Sequence, residues 1–307
     1  MRVARVAAQA KINVYLRVYE RDASGYHQVS TLFQRIDLAD DVVVRVGGKD
    51  RYLDCSGPRL PPDGLGPVEK NLAFRAAEAY AARVGRKAVS GFAIELTKNI
   101  PVGGGLGGGS ADGGAVLRAL QALSPTPLAF EDVQTIARSL GSDVPFLASD
   151  YLAAFGSGRG EVNPSQGVFN LPATDILLVV PPFGIATGDA YRWLDEEREH
   201  YRRPETRPGG EAELAPVDSE WEAFADDGPG PHGNDFESVV EKRYPELRRT
   251  RERLTAHGAR IARLAGSGSS VFGVFEESAP RSEDLDLQAL VIRTRSSSRV
   301  VQVEVLE

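Results

Sequence analysis

The chain of 307 residues is expected to fold as an α+β protein. Three observations predict this. The opening stretch alternates apolar and polar side chains around a turn, the pattern of antiparallel strands. Residues 92–123 pass from a strand pattern through a glycine loop into a helix pattern. Residues 260–275 read as strand, small-residue loop, strand, and lie beyond a Pro-, Gly- and acid-rich stretch at 203–233. The length suits two domains or one large one.

The elements follow in order. Ile12, Val14, Leu16 and Val18 alternate to one strand face, and Lys11, Asn13, Tyr15 and Arg17 to the other. Lys11 and Asn13 then point the same way, ~7 Å apart. On this pattern alone, Lys11 is equally a solvated lysine on an edge strand. Residues 21–25 form a turn, and 32–36 and 42–46 form further strands. Residues 56–68 are loop. Leu72 to Val84 reads as a helix closed by Gly85, with Asn71 as its N-cap. The strand Phe92–Thr97 precedes Lys98, the glycine loop and a helix over 115–123. Gly113 and Gly114 each weaken a helix interior by ~0.8–1 kcal/mol, so alanine at both is expected to firm the helix start and tighten the loop.

A short helix over 131–140 ends at Gly141. Ser142-Asp143-Val144-Pro145 follows, with Pro145 suited to a first helical turn and Asp143 to a cap. Gly156 to Gly160 is a turn. Asp175 to Val180 is a buried strand, and 189–200 a charged helix. Residues 203–233 read as a long surface excursion. Helices at 234–243 and 246–257, strands at 260–264 and 271–275, a helix near 285–290 and a strand near 299–305 complete the chain.

Composition narrows the functional classes. Hydrophobic residues make up 42% and charged residues 26%, as in an ordinary globular protein. A net charge of −7 argues against broad nucleic-acid or anionic-membrane binding, but not against a local anion site. Cys55 is the only cysteine, so no intrachain disulfide or Cys-based metal cluster forms. No apolar run reaches the ~20 residues of a membrane span, and no signal-peptide core is present. A cytoplasmic protein is expected.

The glycine loop carries the chemistry. Six of the seven residues 103–109 are glycine, between a strand and a helix start. Bare N–H groups and the helix dipole favour an anion there. The stretch also matches the dinucleotide fingerprint Gly103-x-Gly105-x-x-Gly108. It follows antiparallel structure, however, and no acidic residue ends a next strand ~20 positions on. A Walker loop needs a lysine where 109–111 read Gly-Ser-Ala.

A third pattern fits. Pro101-Val102-Gly103-Gly104-Gly105-Leu106-Gly107-Gly108-Gly109-Ser110 resembles the second motif of the GHMP small-molecule kinases. Ala10-Lys11-Ile12-Asn13, Gly25-Tyr26-His27, Gly141-Ser142-Asp143-Val144-Pro145-Phe146, Gly158-Arg159-Gly160-Glu161, Pro181-Pro182-Phe183-Gly184, Asn234-Asp235-Phe236-Glu237 and Gly266-Ser267-Gly268 follow the order of one member. That member phosphorylates a cytidyl-diphospho alcohol, and the resemblance spans about residues 8 to 275.

The resemblance implies a ribosomal-protein-S5-domain-2-like lobe at 1–158 and a ferredoxin-like lobe at 159–307. It implies ATP as co-substrate, magnesium bridging the phosphates, and phosphorylation of a 2-hydroxyl on the non-mevalonate route to isoprenoids. Asp143 would be the base and Lys11 its charged neighbour. ATP contacts would come from Asn71, Lys98, Pro101, Val102, Gly103, Gly104, Gly105, Leu106, Gly107, Gly108, Gly109, Ser110 and Ala111. Asn13, Tyr26, His27 and Tyr191 would bind the acceptor. Tyr26 and Tyr191 would stack on the base, worth ~1–3 kcal/mol, and His27 would read its edge. Ser110 is a candidate magnesium ligand; no carboxylate stands out.

The expected partners are ATP and the cytidyl-diphospho small molecule, with no nucleic acid and no membrane, for a monomer or homodimer. Ala111 stands where the family has a second serine, Gly113-Gly114 where it has two alanines, and Ala265 where it has Ser or Thr. Weaker nucleotide affinity is expected from these departures. The rivals are a GHMP kinase for homoserine or mevalonate, and a non-catalytic nucleotide-binding protein on this fold.

Overall fold

The computed structural model describes residues 1–23, 25–85, 89–158, 161–162, 174–201, 233–285 and 288–306. Apart from Gly233, the stretch expected as a surface excursion lies outside them, as do Arg159 and Gly160.

One hairpin organises the molecule. Strand β1 (Arg2–Arg21) and strand β2 (His27–Val46) are 20 residues each and pair antiparallel, with Arg21 opposite His27 beside the turn. The separate strands expected at 32–36 and 42–46 are one. The pairing slips between Gln9 and Lys11 and between Asn13 and Tyr15. Such bulges break strict alternation and bend a strand. Ile12, Val14 and Tyr15 therefore join one core while Leu16 and Val18 reach the other. The single alternation expected across residues 12–18 does not hold, because the second slip re-aims the strand.

The first sheet has the order β11 (Glu304–Leu306), β1, β2, β4 (Phe92–Thr97), β3 (Arg51–Ser56), with β5 (Ala153–Ser157) also paired to β2 and β6 (Glu161–Val162) paired to β5. Strand β4 is Phe92–Thr97 and is antiparallel to β2. Strand β3 (Arg51–Ser56) is parallel to β4 and had not been expected, since its residues are half-buried or exposed by turns. Strand β11 (Glu304–Leu306) returns to pair with β1. A division into 1–158 and 159–307 thus leaves the last strand of the second part in the first sheet.

Among described residues, four α-helices accompany this sheet. Helix α1 spans Leu72–Val84; Asn71 caps it by accepting from the Ala73 N–H at 2.9 Å, and Gly85 leaves it at φ +86°. Helix α2 spans Gly108–Leu123, α3 Phe130–Leu140 and α4 Val144–Leu147. Tyr80, Ile94, Val116, Leu120 and Phe146 are buried between these layers.

Helix α2 begins before the glycines at 113 and 114 and runs through them, against the expectation of a start near 115. A Cβ on Gly114 would stand 2.6 Å from the Leu147 carbonyl carbon and 2.8 Å from the Ala148 nitrogen. The glycine lets α2 touch the backbone of α4. Alanine at 114 is therefore expected to destabilise, since overpacking of ~1–3 kcal/mol exceeds the ~1 kcal/mol gained in helix propensity. Thermal unfolding of Gly114→Ala decides it, and a raised melting temperature would reverse the conclusion. At Gly113 a Cβ would meet the Leu72 carbonyl oxygen at 3.3 Å, so there too alanine does not simply firm the helix.

The second sheet contains β7 (Asp175–Val180), β8 (Ile261–Leu264), β9 (Val271–Phe275) and β10 (Leu290–Arg295) in the order β10-β7-β9-β8, all antiparallel. This is the four-one-three-two order of a ferredoxin-like lobe. Helices α5 (Thr187–Tyr201), α6 (Phe236–Arg243) and α7 (Pro245–Ala256) accompany it, burying Leu194, Val240 and Leu254 with Leu177 and Phe275. The helix expected near 285–290 is, among described residues, one 3-10 turn at Ser282–Leu285. Among described residues no helix is long and apolar enough to cross a membrane.

Candidate active site

The glycine loop lies where the two lobes meet. The Gly105 side faces the loop 265–270, and a Cβ there would stand 1.9 Å from the Ala265 carbonyl oxygen, so no other residue fits. Gly107 holds the N-cap of α2 at φ +72°, a left-handed conformation suited to glycine. The Ala111 N–H bonds Gly107 O at 2.8 Å and is the first to bond back into the helix. The N–H groups of Gly108, Gly109 and Ser110 belong to the unsatisfied first turn. They supply the donors and partial positive charge an anion requires.

Two cavities share this loop as a wall. One, of about 220 Å³, is lined by Asn71, Lys98, Pro101, Val102, Leu106 and all six loop glycines. The other, of about 380 Å³, is lined by Lys11, Asn13, Ser110, Asp143, Thr187 and Tyr191 among others, with Gly103, Gly105 and Gly107–Gly109. The structure thus brings together nearly all of the residues the sequence singled out. Ala111 lines neither cavity and is buried in the first core.

Lys11 is buried, and three oxygens surround its ammonium. Nζ donates to Asn13 Oδ1 at 2.6 Å and to Gly105 O at 3.1 Å, and stands 3.4 Å from Asp143 Oδ2. The solvated-lysine alternative is excluded. Asn13 is itself held: its Nδ2 donates to Thr31 Oγ1 at 2.8 Å, and that hydroxyl donates to Tyr15 O at 2.7 Å. Because Oδ1 of Asn13 faces the ammonium and Nδ2 faces Thr31, the amide orientation is set. Asp143 occupies the N-cap position of α4 but makes no side-chain cap bond. Its carboxylate faces Lys11 instead. Burial, with the Asp143 charge adding, pushes the Tyr191 hydroxyl up to about 12, so it stays protonated.

Beside this pair, aromatic groups from both lobes meet. The His27 ring stacks on Tyr191, centroids 4.9 Å apart, and Phe236 packs edge-on against Tyr191 at 4.9 Å. His27 Nε2 lies 2.7 Å from Asp195 Oδ1, and Arg21 donates to Asp195 Oδ2 at 2.6 Å. A carboxylate only accepts, so Nε2 of His27 carries the proton in this bond. Asp195 on α5 had no signal in the sequence beyond a charged helix. Tyr26, expected to stack opposite Tyr191, is 58% exposed and lines neither cavity.

Lys98 differs most from expectation. Its ammonium is buried between Asp40 and Asp112, at 2.5 Å from Asp112 Oδ2, at the wall of the smaller cavity. Asp40 also accepts from the Asn99 and Ile100 N–H groups. Burial lowers the affinity of Lys98 for its proton, but Asp112 and Asp40 outweigh this and hold its pKa above the usual lysine value. Two carboxylates face one ammonium, so Asp112 is the group that yields. Burial raises it to about 7 against the attraction of Lys98, with Asp40 adding to the rise. Its Oδ1 has no hydrogen-bond partner.

A carboxyl raised on folding stays protonated in the folded chain at a pH where the unfolded chain has lost the proton. Its contribution to stability therefore falls as pH rises from ~4 to about 7. The Asp112→Asn protein should lose that part of the slope in melting temperature against pH. Superimposable curves would refute the assignment.

Metal ligands are few. Among described residues no group of three or more His, Cys, Asp or Glu side chains gathers as a cage. Asp112, which lines the smaller cavity, is engaged by Lys98 together with Asp40, and Asp143 of the larger cavity faces Lys11. A magnesium ion bound with the phosphates would find the Ser110 side chain, which lines the larger cavity, as an uncharged oxygen donor.

The chain is similar to known proteins over most of its length. Residues 71–151 match the GHMP kinases N terminal domain and residues 219–286 the GHMP kinases C terminal family. A 4-diphosphocytidyl-2-C-methyl-D-erythritol kinase from Desulfotalea psychrophila is 38% identical over 88% of this chain and 85% of its own. One from Pelotomaculum thermopropionicum is 36% identical over 95% of this chain and 98% of its own. A solved 4-(cytidine 5'-diphospho)-2C-methyl-D-erythritol kinase superposes with a TM-score of 0.71 at 34% identity, covering 95% of this chain and 99% of that one. Homoserine kinase from Cytophaga hutchinsonii, at 20% identity and a TM-score of 0.61, shares the fold. With identity at this level over most of its length and both GHMP domains present, the chain belongs to the 4-diphosphocytidyl-2-C-methyl-D-erythritol kinase family of GHMP kinases.

Proposed function

We propose that the protein transfers the γ-phosphoryl group of ATP to the 2-hydroxyl of 4-diphosphocytidyl-2-C-methyl-D-erythritol, on the non-mevalonate route to isoprenoid precursors. One observation carries the chemistry: the Lys11 ammonium stands 3.4 Å from the Asp143 carboxylate, beside the glycine loop that two cavities share. Phosphoryl transfer is mostly positioning and charge stabilisation. ATP occupies the smaller cavity, with Asn71 and the segment Pro101–Ser110 around it and its phosphates on the first turn of α2. Asp143 takes the proton of the acceptor hydroxyl. Lys11 steadies the developing alkoxide, and Asn13, locked through Thr31, keeps Lys11 in place.

Magnesium, when bound, neutralises phosphate charge, and Ser110 is the side chain that would hold it. No covalent enzyme intermediate is required. The acceptor's cytosine lies against Tyr191, with Tyr26 moving onto its exposed face and His27 at its edge. Lys98 acts through its buried carboxylate pair, keeping the loop entrance in shape. The enzyme works in the cytoplasm as a monomer or homodimer, with lobes 1–158 and 159–307 meeting at the site.

Purified protein with Mg-ATP should release ADP with the cytidyl acceptor and not with mevalonate or homoserine. ADP from mevalonate alone would sink the acceptor assignment, and ADP from none would favour a binding protein. Tyr191→Ala should raise KM for the cytidyl acceptor by ~5–150-fold, the loss of ~1–3 kcal/mol of stacking, with KM for ATP nearly unchanged. Equal effects on both would assign Tyr191 to the core alone.

A further inference from the structure

Arg35 is the largest fully buried side chain, 1% exposed, and among described residues no carboxylate pairs with it. A buried cation without a carboxylate needs other oxygens. Here they are backbone carbonyls. Nε donates to Tyr151 O at 2.8 Å. Nη2 donates to Phe146 O at 2.8 Å, Ser149 O at 2.8 Å and Leu147 O at 3.1 Å. The guanidinium also lies over the Phe146 ring, 5.0 Å from its centroid. Burial, with the nearby Arg118 adding to it and Asp150 opposing, lowers its pKa to about 9.

These carbonyls belong to one segment. Helix α4 is only Val144–Leu147. So short a helix has no stability of its own, and its last carbonyls lack partners within it. Arg35 gathers them in one planar fork, a geometry lysine cannot reproduce. Immediately before α4 stands Asp143, which has no cap bond to hold it. Its position is inherited from wherever α4 is fixed. In the β1–β2 ladder, the residue directly opposite Arg35 is Lys11. One rung of the hairpin therefore carries the ammonium and also the clamp on the segment that brings it its carboxylate.

We propose that Arg35 is a positioning residue for phosphoryl transfer, tying α4 to the rung of Lys11 and so setting where the Asp143 carboxylate stands. The proposal rests on Lys11 and Asp143 being the reacting pair. Neither Arg35 nor any residue whose carbonyl it holds lines the smaller cavity, so its signature is a split between kcat and KM for ATP.

The test compares Arg35→Lys, Arg35→Met and Asp143→Asn with the parent protein, using Mg-ATP and the cytidyl acceptor. Folding is checked by circular dichroism and thermal melting. Arg35→Met is expected to lower kcat by about 100-fold, the scale of a misplacement of roughly 1 Å, with KM for ATP within about 2-fold of the parent. Arg35→Lys keeps the charge but reaches fewer carbonyls, and should fall between the two. A folded Arg35→Met with parental kcat, while Asp143→Asn is inactive, would overturn the proposal and leave the base assignment standing. An active Asp143→Asn would instead remove the reading beneath both. Parallel loss of kcat and ATP affinity, or failure of both Arg35 variants to fold, would assign Arg35 to stability alone and likewise overturn the proposal.

Discussion

Asp143→Asn is expected to lose turnover by ~10²–10⁴-fold, the usual contribution of a positioned general base, while binding ATP nearly as before. The amide has the size of the carboxylate but neither its charge nor its capacity to take a proton. In many helices the same change would also remove a cap and confuse the result. Here Asp143 makes no side-chain bond to α4, so the helix does not depend on it. Lys11 keeps Asn13 and the Gly105 carbonyl at 2.6 and 3.1 Å, so its ammonium stays in place when the third oxygen changes character. The melting temperature should therefore hardly move. Lys11→Met is a poorer probe, because it would strip a buried donor from two oxygens at once. Single-turnover phosphorylation of the cytidyl acceptor, measured beside equilibrium binding of ATP, separates chemistry from affinity. Turnover within a few-fold of the parent would show that the proton goes elsewhere.

The glycine loop is legible in the sequence as a run of residues with no Cβ between a strand and a helix start, whereas the local patterns leave Lys11 open as a solvated strand lysine and Asp143 as a cap, and only the resemblance to the family singles them out. Most strands and helices are legible because their periods are short-range, while the grouping into two lobes comes from the resemblance to the family. What stayed hidden depends on distance along the chain. Lys98 looks like a free cation beside a phosphate loop, but Asp40 lies 58 positions before it and Asp112 lies 14 after. Only the packed structure reveals that its charge is already used. Asp195 meets His27 across 168 residues. Strand β3 escaped notice because an edge strand with exposed alternate residues has little hydrophobic signal. The bulges in β1 are equally silent, yet they let one strand serve both cores. Gly114 misled in a different way. Read locally it weakens a helix, whereas the structure makes it the contact with α4.

Gly105→Ala is expected to have the largest effect of any single methyl in this chain. Two independent costs act together. At φ +76° the residue is left-handed, where a Cβ costs ~1–2 kcal/mol. That Cβ would also stand 1.9 Å from the Ala265 oxygen and 2.9 Å from that of Gly268, both backbone atoms that no rotamer change can move aside. The loop must withdraw from residues 265–270. It then gives up the bond from Ser270 N–H to Gly104 O and the one from Lys11 Nζ to Gly105 O, 3.2 and 3.1 Å in the parent. At ~1 kcal/mol for each bond, added to the strain, destabilisation is at least ~3 kcal/mol, a fall in melting temperature of roughly 6–12 °C. Nucleotide affinity should fall with it, because the phosphate donors sit on the same loop. Gly109→Ala is the matched control: it is helical, and its Cβ would meet nothing closer than Leu72 Cδ1 at 3.9 Å. It should melt close to the parent whatever its methyl does to phosphate binding. If both variants melted alike, the contact between the glycine loop and the 265–270 loop would not be what holds the lobes' two halves of the site together.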